Sequence, residues 1–314
     1  MNHPGRGEVF QFKTMGYTYV IMRIFVWLFI ALLSISCSPS KNGNGRQAVN
    51  EEPYTEMNAV VNNDDDGVEA LHTNTQIIAS LVAAMHNAEL PDDMRQRLLE
   101  AATADDAFFT TLFECLAEEP DLWRFVDKQI SLPRDFVPSG LVTLGGGSFT
   151  VTRAGMTLQS AAYDALEEMA SAGRAQGVSL VAGSTYRSYD YQVEVYDRWV
   201  RQLGQVEADR VSARPGHSQH QIGTVVDFAP IENTFAQSAA GRFVAENASR
   251  FGWSLSYPED YEPITGYSWE SWHYRYVGKT IAAFIDEYFD GIQHYALHFL
   301  YEWDAYASSN ASWQ

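Results

Sequence analysis

Two stretches far apart in the chain constrain its fold more than any other feature: Ser218–Asp227 (SQHQIGTVVD) and Glu270–His273 (ESWH). Between them they carry imidazoles and carboxylates of the kind a hydrolytic metal site needs, so a chain that uses them together has to bring both stretches to one point. His220, Asp227 and His273 then offer two nitrogens and one oxygen to a divalent cation and leave a fourth position open, the layout of a catalytic rather than a closed structural zinc centre. With a single carboxylate ligand the cation keeps net positive charge, which acidifies water and polarises a carbonyl. Glu270 lies three residues before His273, close enough to serve as general base and acid without occupying the metal. Residues three apart on a regular strand face opposite sides, so a turn or bulge near Ser271 and Trp272 is required if both side chains are to point inward.

Taken singly, either histidine is more often a satisfied polar residue than a ligand, and only the ordered set of four overturns that reading. His217 stands as a candidate fourth ligand of a closed site. His294 and His298 share a helix face at i,i+4 with no carboxylate suitably beside them, so a packing or surface role is expected there.

With 314 residues, 46% of them hydrophobic, the chain has enough apolar surface for a full core and appended segments. A net charge of -19, with no Lys/Arg cluster interleaved with aromatics, argues against nucleic acid as a partner. The apolar run Ile24–Ser36 is shorter than the roughly 20 residues a bilayer span needs, and it suits the hydrophobic region of an export signal. Met22 is as good a start as Met1. Small residues before Cys37 resemble a bacterial lipobox, so 1–37 is expected to be a signal segment that leaves Cys37 lipidated and the protein anchored to a membrane. A Cys37–Cys115 bridge, or cleavage elsewhere, is the alternative. Residues 38–72 are rich in Asn, Asp, Gly and Ser and are expected to be a flexible tether.

Helical spacing of apolar residues in Gln76–Asn87, Met94–Ala102 and Ala107–Glu118 predicts a helical segment over 73–130. From 131 to 290 the pattern is mixed. Leu158–Ala172, Tyr191–Leu203 and 238–251 are expected as helices, with strands at Val178–Gly183, Val225–Phe228 and Tyr274–Val277. Irregular alternation of helices and short strands predicts an α+β domain, not a doubly wound one. Residues 291–314 are expected to form an aromatic C-terminal tail, helical to about Tyr306.

Ser218, His220, Gly223 and Asp227, followed by Glu270 and His273, resemble the SxHxxGxxxD and ExxH motifs of the LAS metallopeptidases, specifically the VanY-type D-alanyl-D-alanine carboxypeptidases. Leu132–Leu144, Tyr186–Gln192 (YRSYDYQ), Arg214–Gly216, Phe251–Gly266 and Trp272–Gly278 resemble family blocks in the family order, over roughly 125–285. The resemblance implies a small antiparallel sheet with flanking helices, and one zinc ion held by His220, Asp227 and His273. It implies Glu270 as general acid/base, Arg187 on the substrate carboxylate or developing oxyanion, and Gln192 and Ser218 along the substrate cleft. A guanidinium suits the Arg187 role because its planar fork takes a carboxylate through two hydrogen bonds. Gln219, Val225 and Ser271 replace the family's usual Glu, Ala and Pro; none removes a ligand or the base. The implied activity is removal of terminal D-alanine from peptidoglycan stem peptides, outside the cytoplasmic membrane in the periplasm or cell envelope. An L,D-carboxypeptidase, an endopeptidase on the same polymer, and a non-catalytic zinc-containing wall-binding module are the alternatives. Retention of Glu270 speaks against the last.

Overall fold

The computed structural model describes the backbone from Asp65 to Ser309. The export signal, Cys37 and most of the tether expected from the sequence lie outside the described residues.

Four helices come first: α1 (Asp65–Asn87), α2 (Asp92–Ala104), α3 (Ala107–Ala117) and the short α4 (Pro120–Trp123). Helix α1 begins inside the span expected to be tether, because a polar composition argues against burial but does not forbid a helix. Next come β1 (Leu141–Thr143), β2 (Thr150–Val151), β3 (Thr157–Gln159), α5 (Ser160–Ala175), β4 (Val181–Ser184), α6 (Tyr189–Leu203) and α7 (Gln205–Val211). A 3-10 turn at Gln219–Ile222 leads into β5 (Val225–Phe228), and α8 (Ala239–Asn247), β6 (Trp253–Leu255) and α9 (Glu262–Thr265) follow. The chain then runs through β7 (His273–Tyr276), α10 (Lys279–Tyr288) and α11 (Gln293–Ser309).

Five strands form one sheet in the order β2-β4-β5-β7-β6, and β1 pairs with β3 apart from it. The β2–β4 pair is parallel and the other neighbours are antiparallel. Side chains alternate across the pleat. Val226, Phe228 and Tyr274 therefore face one way and pack with Leu166 and Met169 of α5, Phe243 of α8 and Trp253 in a buried core. Val225, Asp227, His273 and Arg275 face the other way. That face is covered in part by α4, since the Arg275 guanidinium, wholly buried, donates to the carbonyls of Asp121 and Leu122 at 3.0 and 3.2 Å.

A second core is built mainly from helices. Leu81 and Met85 of α1, Leu98 of α2, Phe108 and Leu112 of α3, and Phe284 of α10 meet Phe299, Leu300 and Trp303 of α11 there. The aromatic residues expected to form a tail beyond 291 thus fill a core, and their helical spacing reflects one buried face. His294 and His298 pack around Phe125, the His298 ring stacked on it at 4.5 Å. The expected helix over 238–251 breaks after α8 into a 3-10 turn at Ala248–Phe251, closed by Gly252 at φ +79°.

Candidate metal centre

The β5–β7 ladder sets Asp227 directly opposite His273, so the pleat delivers a carboxylate and an imidazole to one face side by side. His220 arrives from the 3-10 turn before β5. Ser218 caps that turn, its hydroxyl oxygen accepting from the His220 amide at 3.3 Å, and Gly223 ends it at φ +83°. Only glycine suits that position, because a Cβ would lie 2.8 Å from Pro138 Cγ.

His220, Asp227 and His273 are all buried, and one donor atom from each lies within 4.8 Å of the others. His220 Nδ1 donates to the Thr185 carbonyl at 2.7 Å, since a carbonyl oxygen can only accept. Burial holds this imidazole neutral, pulling its pKa down to about 4, so Nε2 presents a lone pair. That lone pair faces Asp227 Oδ2 at 3.1 Å. Burial works against ionisation of Asp227, but the two imidazoles outweigh it and hold the carboxyl below the usual range. His273 Nδ1 lies 3.0 Å from Asp227 Oδ1, yet Oδ1 makes no hydrogen bond among the described residues. Two buried imidazoles and one buried carboxylate whose donor atoms converge are the donor set of a cation site, and that set fits zinc.

Glu270 Oε2 sits 3.2 Å from His273 Nδ1. The two side chains face the same way because the chain turns between them, the His273 amide donating to the Glu270 carbonyl at 3.1 Å. Asn233 clamps this turn: its amide donates to the Trp269 carbonyl and its oxygen accepts from the Ser271 amide, both at 3.1 Å. Burial raises the Glu270 pKa against the pull of His273. For His273, burial opposes protonation, but the Asp227 and Glu270 carboxylates prevail and push its pKa up to about 9. A divalent cation takes the place of that proton when the ring becomes a ligand.

Arg187 flanks the same carboxylate, with Nη2 4.0 Å from Asp227 Oδ2. Its Nη1 donates to Gln192 Oε1 at 2.5 Å, and the fully buried Gln192 is fixed in turn by donating to the Ala213 carbonyl at 2.5 Å. Gln192 therefore stands behind Arg187 and orients it. Burial weakens the cationic form of Arg187, and Asp227 and Glu270 support it. Ser218 is buried beneath His220. His217 is turned away from the cluster and bonds the Asp127 carbonyl at 2.7 Å.

Sequence reasoning passed over three contributors: Thr185, whose carbonyl fixes the His220 tautomer, Asn233, and Tyr257. The buried Tyr257 ring lies 4.8 Å from that of His273, and its carbonyl accepts from the Glu270 amide at 3.0 Å. Tyr257 falls within the Phe251–Gly266 block, which was the available signal. Nothing local marks Thr185 or Asn233, because each acts through tertiary contact.

A model of the VanY family, D-alanyl-D-alanine carboxypeptidase, matches residues 155–279. YodJ of Bacillus subtilis (strain 168), a carboxypeptidase by name, is 34% identical over 194 residues, 57% of this chain and 71% of YodJ. A D-alanyl-D-alanine carboxypeptidase of Enterococcus faecalis (strain V583) is 37% identical over 122 residues, 36% of this chain and 46% of that protein. The solved structure of the LdcB LD-carboxypeptidase aligns with a TM-score of 0.50 at 33% identity, covering 56% of this chain and 89% of LdcB.

Proposed function

Because the chain belongs to the VanY family of D-alanyl-D-alanine carboxypeptidases, we propose that it is a zinc carboxypeptidase removing the terminal D-alanine of peptidoglycan stem peptides. The observation that carries this reading is the meeting of His220, Asp227 and His273 with Glu270 and Arg187 around one point. In this reading His220, Asp227 and His273 hold one zinc ion per chain. Bound there, zinc supplies positive charge that polarises the scissile carbonyl and makes water more acidic. Glu270 takes the proton from the attacking water and returns it to the leaving amine, and its raised pKa suits both halves of that exchange. Arg187 grips the free terminal carboxylate through its planar fork, oriented by Gln192. Ser218 contributes by capping the turn that presents His220.

The domain reading that goes with this is a signal and lipoprotein segment at 1–37, a tether at 38–72, a helical segment at 73–130, a catalytic domain over 131–290 and a C-terminal aromatic tail at 291–314. Export to the periplasm or cell envelope, with a lipid anchor at Cys37, places the enzyme beside its polymer. No helix among the described residues is long and apolar enough to cross a membrane.

A second reading, an L,D-carboxypeptidase, draws on the likeness to LdcB. Incubating the zinc-loaded protein with defined penta- and tetrapeptide stems and weighing the products separates the two. D-alanine leaves the pentapeptide in the first reading and only the tetrapeptide in the second. Release from neither overturns both.

A further inference from the structure

Helix α11 lies beyond the segment that matches the family, 155–279, yet its first residue bonds Gln219 and Ser256, which adjoin the segments that carry His220 and His273. Gln293 is 1% exposed. Its Oε1 accepts from Gln219 Nε2 at 3.3 Å and lies 3.2 Å from the Ser256 hydroxyl, whose one proton it shares with Gln219 Oε1, and its Nε2 donates to the Ser254 carbonyl at 3.1 Å. Ser256 Oγ also lies 2.8 Å from Gln219 Oε1, which closes a buried triangle.

Each corner of the triangle touches something that bears on the donor set. Gln219 is the residue before His220 in the 3-10 turn, so fixing its side chain fixes the turn from behind. Ser256 donates its amide to the His273 carbonyl at 3.2 Å, one residue past β6. The network therefore joins both ligand-bearing segments to a helix that has no other part in the chemistry. It also accounts for Gln219 where the family usually has Glu: an amide donates to Gln293 Oε1, and a carboxylate has no proton to give it. Buried polar groups of this kind are costly unless every partner is present, so the triangle holds one geometry and resists others.

We propose that Gln293 is a positioning residue for the metal centre, acting through Gln219 and Ser256 on the segments that carry His220 and His273. The inference rests on the zinc carboxypeptidase reading. Direct hydrogen-bond partners of metal ligands are worth about 10- to 100-fold in metal affinity, and Gln293, one contact further out, is expected at the lower end of that range. Ser256→Ala, which opens the triangle at another corner with little change in volume, has the same sign.

The test is a competition titration of zinc against a chromogenic chelator, run on the full chain at a denaturant-free midrange pH. Three variants accompany the wild type: Gln293→Leu, Ser256→Ala and Leu300→Ala. Leu300 is wholly buried in the helical core, two turns further along the same helix. Leu300→Ala reports what general loosening of α11 does. The proposal expects zinc affinity to fall at least tenfold in Gln293→Leu and in Ser256→Ala, and to stay at the wild-type value in Leu300→Ala. Should Gln293→Leu not fold, Ser256→Ala decides. Unchanged affinity in the triangle variants, or an equal loss in Leu300→Ala, overturns the proposal. A wild-type chain that binds no zinc overturns the metal reading itself, a different result from either.

Discussion

In the proposed mechanism Glu270 is the residue on which the chemistry turns, because it is the acid beside the proposed metal donors that is left free to move a proton. Replacing it with Gln keeps the shape and removes the basicity. Hydrolysis in Glu270→Gln is expected to fall by about a thousandfold while zinc stays bound, as measured by product release and by metal content after gel filtration. Loss of metal along with activity would instead make Glu270 a ligand. The cluster of His220, Asp227 and His273 was legible in the sequence because its spacing is written into short motifs, and Gly223 was legible with it. Thr185 was not, because it acts through a backbone carbonyl, and any residue type supplies one.

Among the elements, the turn that carries His220 is tightly constrained. Gly223→Ala forces a side chain into the left-handed region and against Pro138 and Leu141, at a cost of about 2 kcal/mol or more. A urea melt at neutral pH measures the loss.

Helix α11 adds a pH dependence of its own. Burial, aided by His298, pulls the His294 pKa down to about 4, whereas in the unfolded chain it is about 6.5. Between those values the unfolded chain binds the extra proton, so this contribution to stability is complete above about pH 6.5. It is lost as the pH falls towards 4, by up to about 3 kcal/mol. Denaturant melts at pH 7 and pH 4.5 register the difference, and His294→Gln is expected to flatten it.

Helices were readable from apolar spacing, since α3 and α6 begin within two residues of their expected starts. Strands β1, β2, β3 and β6 were not, because two or three residues are too few for a period of two to show.

For the molecule as a whole, a metal held by His220, Asp227 and His273 would favour the folded state, which alone brings the three together. An ion present at a hundred times its dissociation constant adds about 2.7 kcal/mol, and for a body of this size removal lowers the melting temperature by about 5–10 °C. Calorimetry with and without a chelator tests this, and re-addition of zinc restores the original midpoint. The sequence pointed to a catalytic body with helical material before it and a tail behind. What it could not disclose was that both flanks share one core, since contact between residues more than two hundred positions apart leaves no periodic trace. Asn87 of α1 and Glu302 of α11, 215 positions apart, are joined by a hydrogen bond of 3.1 Å.

That long closure has a consequence for the chain as it is made. Synthesis delivers the metal donors, the base and Arg187 first, and Gln293 emerges only after all of them. On the proposed reading, a nascent or truncated polypeptide holds every reactive group yet lacks the Gln293 side chain that bonds Gln219, so the metal centre gains its full support last.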